Sequence, residues 1–475
     1  MAEPLSAPTA GSAGLDERIA ARERIVRELF DREAEGLART CHAMARAFAR
    51  GGTLIPFGTG AAATDAAHAA VEFMHPVIVG KRALPALAPT SDVTGASTLA
   101  RLARPDDIAL AISHGEPDAA TAEFIAEARR LGILTIAITG RREEAGDAEH
   151  GFAVPSDDPA VVQEAQETAY HVLWELVHVF FEQPGLLEDE LATASAEHPE
   201  ACITCGDVAV EVRVAEVQGP TAIVEREGAF EQVAVDLIEH VQAGDRLLCH
   251  AGVALERLSS RSTEPAREAS ATDPTDFLYP FQASGTTDLD SVLTDVEAST
   301  RRKAEDVIEL RGSIDTGAIA ACARQVRERL DRGGDLISFG NGGSSTDAQD
   351  LATDALARGW PAVSLNNDVA TITAVGNDVG FENAFSRQLI PLGRAHDVAV
   401  AISTSGNSDN LIAGLEEARR RNMLTVGIAG YDGGRMAGLG WLDHLFIVRS
   451  DYIPRIQEAQ ATIYHLLLEA VGERA

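Results

Sequence analysis

Lysine is nearly missing from this chain: of 40 basic residues only Lys81 and Lys303 are lysines, and the rest are arginines. Against 73 acidic residues this leaves a net charge of −33. No basic stripe stands out, which excludes direct binding of DNA or RNA; the acidity reads as solubility and self-repulsion. Long apolar runs are missing too. None reaches the roughly 18 residues that a membrane helix needs, and no charged-then-apolar leader opens the chain. The expectation is a soluble, cytoplasmic protein with no membrane partner. Cysteine is scarce: Cys41, Cys202, Cys205, Cys249 and Cys322 are too few for a disulfide scaffold and suit a reducing compartment. What remains is a 475-residue chain with room for about three domains.

The organising stretch is LISFGNGGSSTDAQDL, Leu336 to Leu351. The apolar run Leu336 to Phe339 reads as a buried parallel strand. It stops at Gly340-Asn341-Gly342-Gly343, where glycine allows backbone angles closed to other residues. A helix pattern starts at Ser344 and Ser345. Strand, glycine turn and helix start form a half-unit of a doubly wound sheet, with free amides aimed at an anion. AISTSGNSDN, Ala401 to Asn410, repeats the design and brings the hydroxyls of Ser403, Thr404, Ser405 and Ser408.

An earlier part of the chain restates this half. LIPFGTGAAATDAAHAAVEF, Leu54 to Phe73, parallels the later glycine loop; strands are expected over Asp107 to Ile112 and Leu134 to Ile138, and a long helix over Val161 to Phe181. A helical pattern from Leu15 to Ala49 has an expected break near Asp31 to Gly36. His68 and Glu72 fall 282 residues before Asp350 and Asp354, Ser113 falls 290 before Ser403, and Gln163 and His171 fall 294 before Gln457 and His465. The growing offset is what short loop insertions give, so the chain holds two copies of one α/β domain, a covalent pseudo-dimer. The expected boundaries are a disordered tail at 1–13, a first copy at 14–195, a middle domain at 200–258, a linker at 259–286 and a second copy at 287–475.

GNGGS, VGNDVGF (Val375 to Phe381), STSGNS and DGGRMAG (Asp432 to Gly438) stand in an order that resembles the sugar isomerase (SIS) domain, and most of all its phosphoheptose isomerase branch. Four ordered motifs over roughly 150 residues make a specific signal. The resemblance implies two doubly wound, flavodoxin-like parallel sheets and isomerisation of sedoheptulose 7-phosphate. It places phosphate on Ser403, Thr404, Ser405 and Ser408, and the sugar along Asn341, Gly342, Gly343, Ser344 and Ser345. It also implies a Zn²⁺ site from a helix His and Glu with a Gln and His on the last helix, the Glu and last His carrying protons. In the first copy that set is His68, Glu72, Gln163 and His171, with Glu72 as base and His171 as acid. In the second it is Asp350, Asp354, Gln457 and His465, with Asp354 and His465 in the catalytic places. Asp is shorter than Glu, so that site is displaced or in decay, or takes Mn²⁺ or Mg²⁺ in place of zinc.

Each copy keeps what the other has lost. The first reads Ser113-His114-Gly115-Glu116-Pro117-Asp118 where the second has its phosphate loop; two carboxylates repel phosphate and Pro117 removes an amide donor. The complementarity points to a composite arrangement: phosphate gripped by the second copy, metal supplied by the first. The resemblance further implies a homo-oligomer, a dimer of pseudo-dimers.

Residues 202 to 258 alternate in strand fashion, as in Val208-Val210-Val212-Val214, and read as a small barrel. CITCGD and AGDRLLCHAGVALERL (Ala243 to Leu258) resemble the HypC/HupF chaperones of nickel–iron hydrogenase maturation, an OB-like barrel. That resemblance implies an iron–cyanide–carbonyl unit on Cys202 and His250, with Cys205 close by. It departs from the family in that Cys202 is internal, without a free amine beside it. On its own Cys202-x-x-Cys205 is a redox pair, half a zinc site, or neither. Three classes of function follow. One is a phosphosugar isomerase. Another is a maturation factor that works with a hydrogenase large subunit or its maturation proteins. The third is a non-catalytic scaffold whose SIS domains only sense a phosphosugar.

Overall fold

The structure, a computed structural model, describes residues 12–76, 81–89, 95–115, 119–140, 146–183, 185–187, 210–218, 221–226, 229–235, 241–250, 253–258 and 288–473. Cys202 and Cys205, the linker at 259–286, and Glu116, Pro117 and Asp118 lie outside the described residues.

The first copy opens with α1 (Ser12–Ala49) and continues as β1 (Leu54–Phe57), α2 (Ala62–Met74), α3 (Gly95–Leu102), β2 (Ile108–Ser113), α4 (Ala119–Leu131), β3 (Leu134–Thr139), β4 (His150–Ala153) and α5 (Pro159–Glu182). Its strands form one parallel sheet in the order β1-β2-β3-β4. The expected break in α1 is absent: the helix runs unbroken for 38 residues. Gly36 is there for close approach, because a Cβ on it would sit 3.1 Å from the Phe152 ring.

Between the copies, β5 (Val210–Gln218), β6 (Thr221–Arg226), β7 (Ala229–Ala234), β8 (Arg246–His250) and β9 (Val253–Leu258) close into a barrel around Val212, Val224, Val233 and Leu247.

The second copy runs α6 (Leu289–Gly312), α7 (Thr316–Asp331), β10 (Leu336–Gly340), α8 (Gly343–Ala357), β11 (Ala362–Ser364), α9 (Val369–Val379), α10 (Ser386–Leu392), β12 (Val398–Ser403), α11 (Asp409–Arg420), β13 (Leu424–Gly430), α12 (Gly434–Ala437), β14 (His444–Val448) and α13 (Ile453–Gly472). Its sheet has five parallel strands, β11-β10-β12-β13-β14. Among the described residues the first copy has no counterpart of β11, and Pro56 explains why. Leu54 N donates to Pro85 O and Leu87 N donates to Leu54 O, as the second copy's edge begins. The next donor in register would be the amide of residue 56, and proline has none. The ladder therefore stops at the single bridge Leu54–Ala86.

Helix α6 crosses to the first copy, and the first turns of α1 reach the second. Val292, Val296, Val307 and Ile308 of α6 are buried in the core of the first copy, while Leu15 and Ile19 of α1 are buried in that of the second. Each such side chain contributes about 1.5–3 kcal/mol when fully buried, so the crossing ties the pair into one body. Corresponding helices meet across the seam: α2 packs on α8, and α5 on α13. Among the described residues no helix is long and apolar enough to cross a membrane.

Both lysines are spent inside this body. Lys81 is 7% exposed and pairs with Glu182; Lys303 is 5% exposed and pairs with Glu175. An amine-reactive ester at neutral pH is therefore expected to add to the N-terminal amine of the folded chain and to neither lysine. Both lysines react once urea unfolds the chain, and intact mass counts the adducts. Two or more adducts on the folded chain contradict this burial.

Candidate functional site

Helix α2 carries His68 and Glu72 one turn apart on its buried face, and α5 carries His171. The three side chains are 2%, 2% and 0% exposed. Their ligand atoms lie within 4.8 Å of one another, with His68 Nε2 3.6 Å from Glu72 Oε1. The fourth member comes from the other copy. Gln457 of α13 places Nε2 3.0 Å from His68 Nε2.

Gln163, assigned from the sequence to the set of His68, stands elsewhere: its amide nitrogen is 3.3 Å from Asp65 Oδ1 and 3.5 Å from the Tyr464 hydroxyl. The reason is geometric. Positions eight apart on one helix are separated by about 12 Å along its axis, too far to converge on one point. Helices α5 and α13 run antiparallel, as the reciprocal pairs His171–Glu458 and Glu164–His465 show. This crossing brings Gln457 of the second copy to the first copy's set.

The glycine loop of the second copy seats on the first copy's set. A Cβ on Gly343 would collide with Gln457 Nε2, lie 2.6 Å from His68 Nε2 and lie 3.2 Å from Glu72 Oε1. Asn341, in the same loop, exchanges two 2.9 Å hydrogen bonds with Asn410 at the start of α11. That contact joins the glycine loop to the segment holding Ser403, Thr404, Ser405 and Ser408. Ser403 Oγ accepts from Gly406 N and Ser405 Oγ accepts from Asn407 N, which shapes the turn. The DGGRMAG segment braces it from outside, with Arg435 N donating to Asn407 Oδ1 and Met436 N to Gly406 O. Ser344 is buried, and Ser345 caps Gly342 O at the start of α8.

The donor set fits a divalent ion. Glu72 Oε2, His171 Nε2 and Gln457 Oε1 are all buried without a hydrogen-bond partner, a costly state for polar atoms that a shared cation relieves. Outer partners fix the rings: His171 Nδ1 is 2.9 Å from Glu458 Oε1, and His68 Nδ1 is 3.1 Å from the Tyr170 hydroxyl and 3.7 Å from Asp347 Oδ1. Burial alone would raise the Glu72 carboxyl, but the hydrogen bond and charge of His68, then the charge of His171, hold it below the ordinary carboxylate range. Burial and the charge of Asp347 push Glu167 the other way, well above that range; Asp347 is pushed up by burial and by Asp350. His68, Glu167 and Asp347 form the other group of three potential ligands found among the described residues.

The second copy's set is differently filled. His465 Nε2 lies 3.4 Å from Asp350 Oδ2 and 3.7 Å from Asp354 Oδ2, and Nδ1 lies 3.0 Å from Glu164 Oε1. Burial opposes its charge, but hydrogen bonds to Asp350 and Glu164 win and raise His465 to about 10, which makes it the cation of an acidic cluster. His114, at the place of Thr404, inserts Nε2 2.7 Å from Asp65 Oδ2 and is itself raised by that carboxylate against burial. Ala61 stands at the place of Gly343, with a methyl where the working loop has none.

Several residues of the seam escaped the sequence analysis: Tyr170, Tyr464, Glu164, Glu167 and Glu458. The available signal was that α5 and α13 are apolar enough to be buried all round, yet carry carboxylates that need partners there. Of the barrel residues, Cys249 is buried, which pushes its thiol up to about 11, and His250 ends β8.

The sequence matches the SIS domain family over residues 19–140 and 301–430, and the HupF/HypC family over residues 208–269. The second match contains His250 and begins past Cys202 and Cys205. A phosphoheptose isomerase of Helicobacter pylori (strain HPAG1) is 43% identical over 150 residues, 30% of this chain and 77% of that protein. One from Geotalea daltonii is 40% identical over 176 residues, 36% of this chain and 91% of that protein. Among solved structures, a phosphoheptose isomerase from Neisseria gonorrhoeae is 34% identical, with 38% of this chain and 97% of that chain covered and a TM-score of 0.36.

Proposed function

We propose, from the premise that this chain belongs to the SIS domain family, that it interconverts the keto and aldo forms of a phosphosugar in one site built from both of its copies. The observation that carries this reading is the seat of Gly343 on Gln457, His68 and Glu72. The copy that kept its phosphate loop lays its glycine turn on the copy that kept His, Glu and His. Relatives named phosphoheptose isomerase make sedoheptulose 7-phosphate the first substrate to try.

Isomerisation moves one proton between adjacent carbons and develops charge on two oxygens. Ser403, Thr404, Ser405 and Ser408 hold the phosphate with hydroxyls and the amides at the start of α11. Asn341, Gly342, Gly343, Ser344 and Ser345 line the sugar. His68, Glu72, His171 and Gln457 are the residues that would hold a divalent ion, and nitrogen and oxygen donors suit Zn²⁺. Bound there, the ion supplies a fixed positive charge for the sugar oxygens. Glu72, kept ionised by its neighbours, offers Oε2 as the base that takes the proton from one carbon and returns it to the next. His171, its Nδ1 fixed by Glu458, is the acid at the carbonyl oxygen in the state in which its Nε2 carries a proton and His68, Glu72 and Gln457 alone would hold the ion.

Zinc-reloaded protein is expected to turn over sedoheptulose 7-phosphate, and a Glu72→Gln/His171→Gln chain to lose about 10²–10⁴ of that rate. Absence of turnover in folded, zinc-loaded protein overturns the reading for this substrate.

The HupF/HypC match favours a second reading, service in nickel–iron hydrogenase maturation, with His250 as a ligand for an iron–cyanide–carbonyl unit and SIS copies that sense a phosphosugar without turnover. Co-purification of the full chain with a hydrogenase large-subunit precursor, abolished by His250→Ala, supports that reading; its absence in cells making hydrogenase removes it. The exposed Val369, Val379 and Phe381 favour association of two such chains.

A further inference from the structure

A second opening lies behind the first ligand set. A cavity of about 510 Å³ is walled by α6, by the residues that follow β14 and by the first turn of α13. None of the residues assigned above to phosphate, sugar or metal lines it. Two buried cations form its floor, Lys303 and Arg455, and two exposed ones its rim, Arg302 and Arg449.

The floor cations are already balanced by carboxylates that do not line the cavity. Lys303 pairs with Glu175; Arg455 donates to Glu175 Oε1 at 2.7 Å and to Glu458 Oε1 at 2.6 Å. Yet Arg455, only 2% exposed, keeps its Nε–H without a hydrogen-bond partner. Buried polar atoms in native proteins nearly always have one. At the start of α13, Tyr452 and Arg455 stand in the cavity wall, while Pro454 in the same turn supplies no amide.

The same walls carry acceptors. Asp306 and Glu309 face the cavity with the hydroxyls of Ser299 and Ser313, and burial pushes the Asp306 carboxyl upward. Donors for an anion thus stand at Arg302, Arg449 and Arg455, and acceptors for hydroxyl groups at Asp306 and Glu309. We propose that this cavity binds a small organic phosphate, a phosphomonoester that also bears hydroxyl groups, at a site separate from the Ser403–Ser408 loop. The phosphate lies toward the guanidinium groups, and the hydroxyls toward Asp306 and Glu309. The cavity communicates with the first ligand set: Glu458 Oε1 accepts from Arg455 and lies 2.9 Å from His171 Nδ1. The site does not depend on the isomerase reading, since none of its residues enters that chemistry.

The test is calorimetric titration of ribose 5-phosphate into the full chain, with ribose and inorganic phosphate as separate probes. In a chain whose phosphate loop is closed by charge (Ser403→Asp/Ser405→Asp), one equivalent of ribose 5-phosphate is expected to bind. Inorganic phosphate competes with it. Adding Arg302→Glu/Arg449→Glu, both exposed positions, weakens it at least tenfold. No binding in the loop-closed chain, or affinity unchanged by the two arginine replacements, overturns the proposal. Should the loop-closed chain fail to fold, the wild-type loop decides: two equivalents falling to one on Arg302→Glu/Arg449→Glu support the site, and one equivalent in both chains removes it.

Discussion

Gly343→Ala is expected to abolish turnover and metal retention while leaving the chain folded. The added methyl would overlap Gln457 Nε2 and stand 2.6 Å from His68 Nε2, so the glycine loop or the ligand set must shift. A misplacement of about 1 Å costs on the order of 10²-fold in rate, and here four groups move together. The neighbouring change Gly342→Ala separates collision from backbone strain. Gly342 has φ 58, where a side chain is disfavoured, but a Cβ there meets nothing within 4 Å. Gly342→Ala, at φ 58 and ψ −130, is expected to cost about 1–3 kcal/mol of stability and to keep most of the turnover. Equal loss in both variants, read by steady-state rates and zinc content, contradicts the claim that Gly343 lies on the ligand set. Ala61, at the equivalent place 282 residues earlier, already carries this methyl.

The largest stability effect is expected from Glu164→Ala. Glu164 accepts from Arg22 Nε at 2.9 Å and from Thr462 Oγ1 at 2.6 Å, holds His465 Nδ1 at 3.0 Å and lies 3.5 Å from Arg311. All but Glu164 itself would remain, with two buried guanidinium groups losing a counter-charge. Removing one partner of a buried network of this kind costs about 3–5 kcal/mol. The network also sets the pH dependence. Burial alone would raise Glu164, but Arg22, the His465 hydrogen bond and Arg311 hold it well below the ordinary 4.5. A depressed carboxyl stabilises the fold above its unfolded value, and that contribution is lost as pH falls below 4.5. His465 works in the opposite sense: raised from 6.5 to about 10, it stabilises fully below pH 6.5, and its share is lost as pH rises through 10. Denaturant midpoints between pH 7 and 10 should therefore fall for the parent chain and stay flatter for His465→Gln. A parent midpoint that rises over this range contradicts the cationic assignment of His465.

Much of the scaffold is legible in the sequence because its signals are local. A four- to six-residue apolar run ending in glycine and followed by a helix start is a parallel strand in both copies, and the slowly growing offsets, 282 between His68 and Asp350 and 294 between His171 and His465, expose the repeat. Where a residue's role depends on a distant partner, local pattern misleads. Gly36 looks like a helix break and is a helix position that lets Phe152 approach. Pro56 looks like any strand residue of LIPF, yet its missing amide ends the sheet. The assignment of Gln163 rested on family order within one copy, whereas the antiparallel crossing of α5 and α13 sends Gln457 to His68. The crossing of α6 and of the first turns of α1 between the copies has no signature in either helix alone, because both simply present an apolar face.

The central claim, one working site that draws His68, Glu72 and His171 from the first copy and Gln457 with the phosphate loop from the second, is tested most directly by comparing Gln457→Ala with Gln163→Ala. Zinc per chain by elemental analysis and turnover of sedoheptulose 7-phosphate are measured on both. The account predicts about one zinc in the parent chain, retained with its activity in Gln163→Ala and lost with it in Gln457→Ala. Loss in Gln163→Ala with retention in Gln457→Ala would contradict it, and would return the metal set to a single copy.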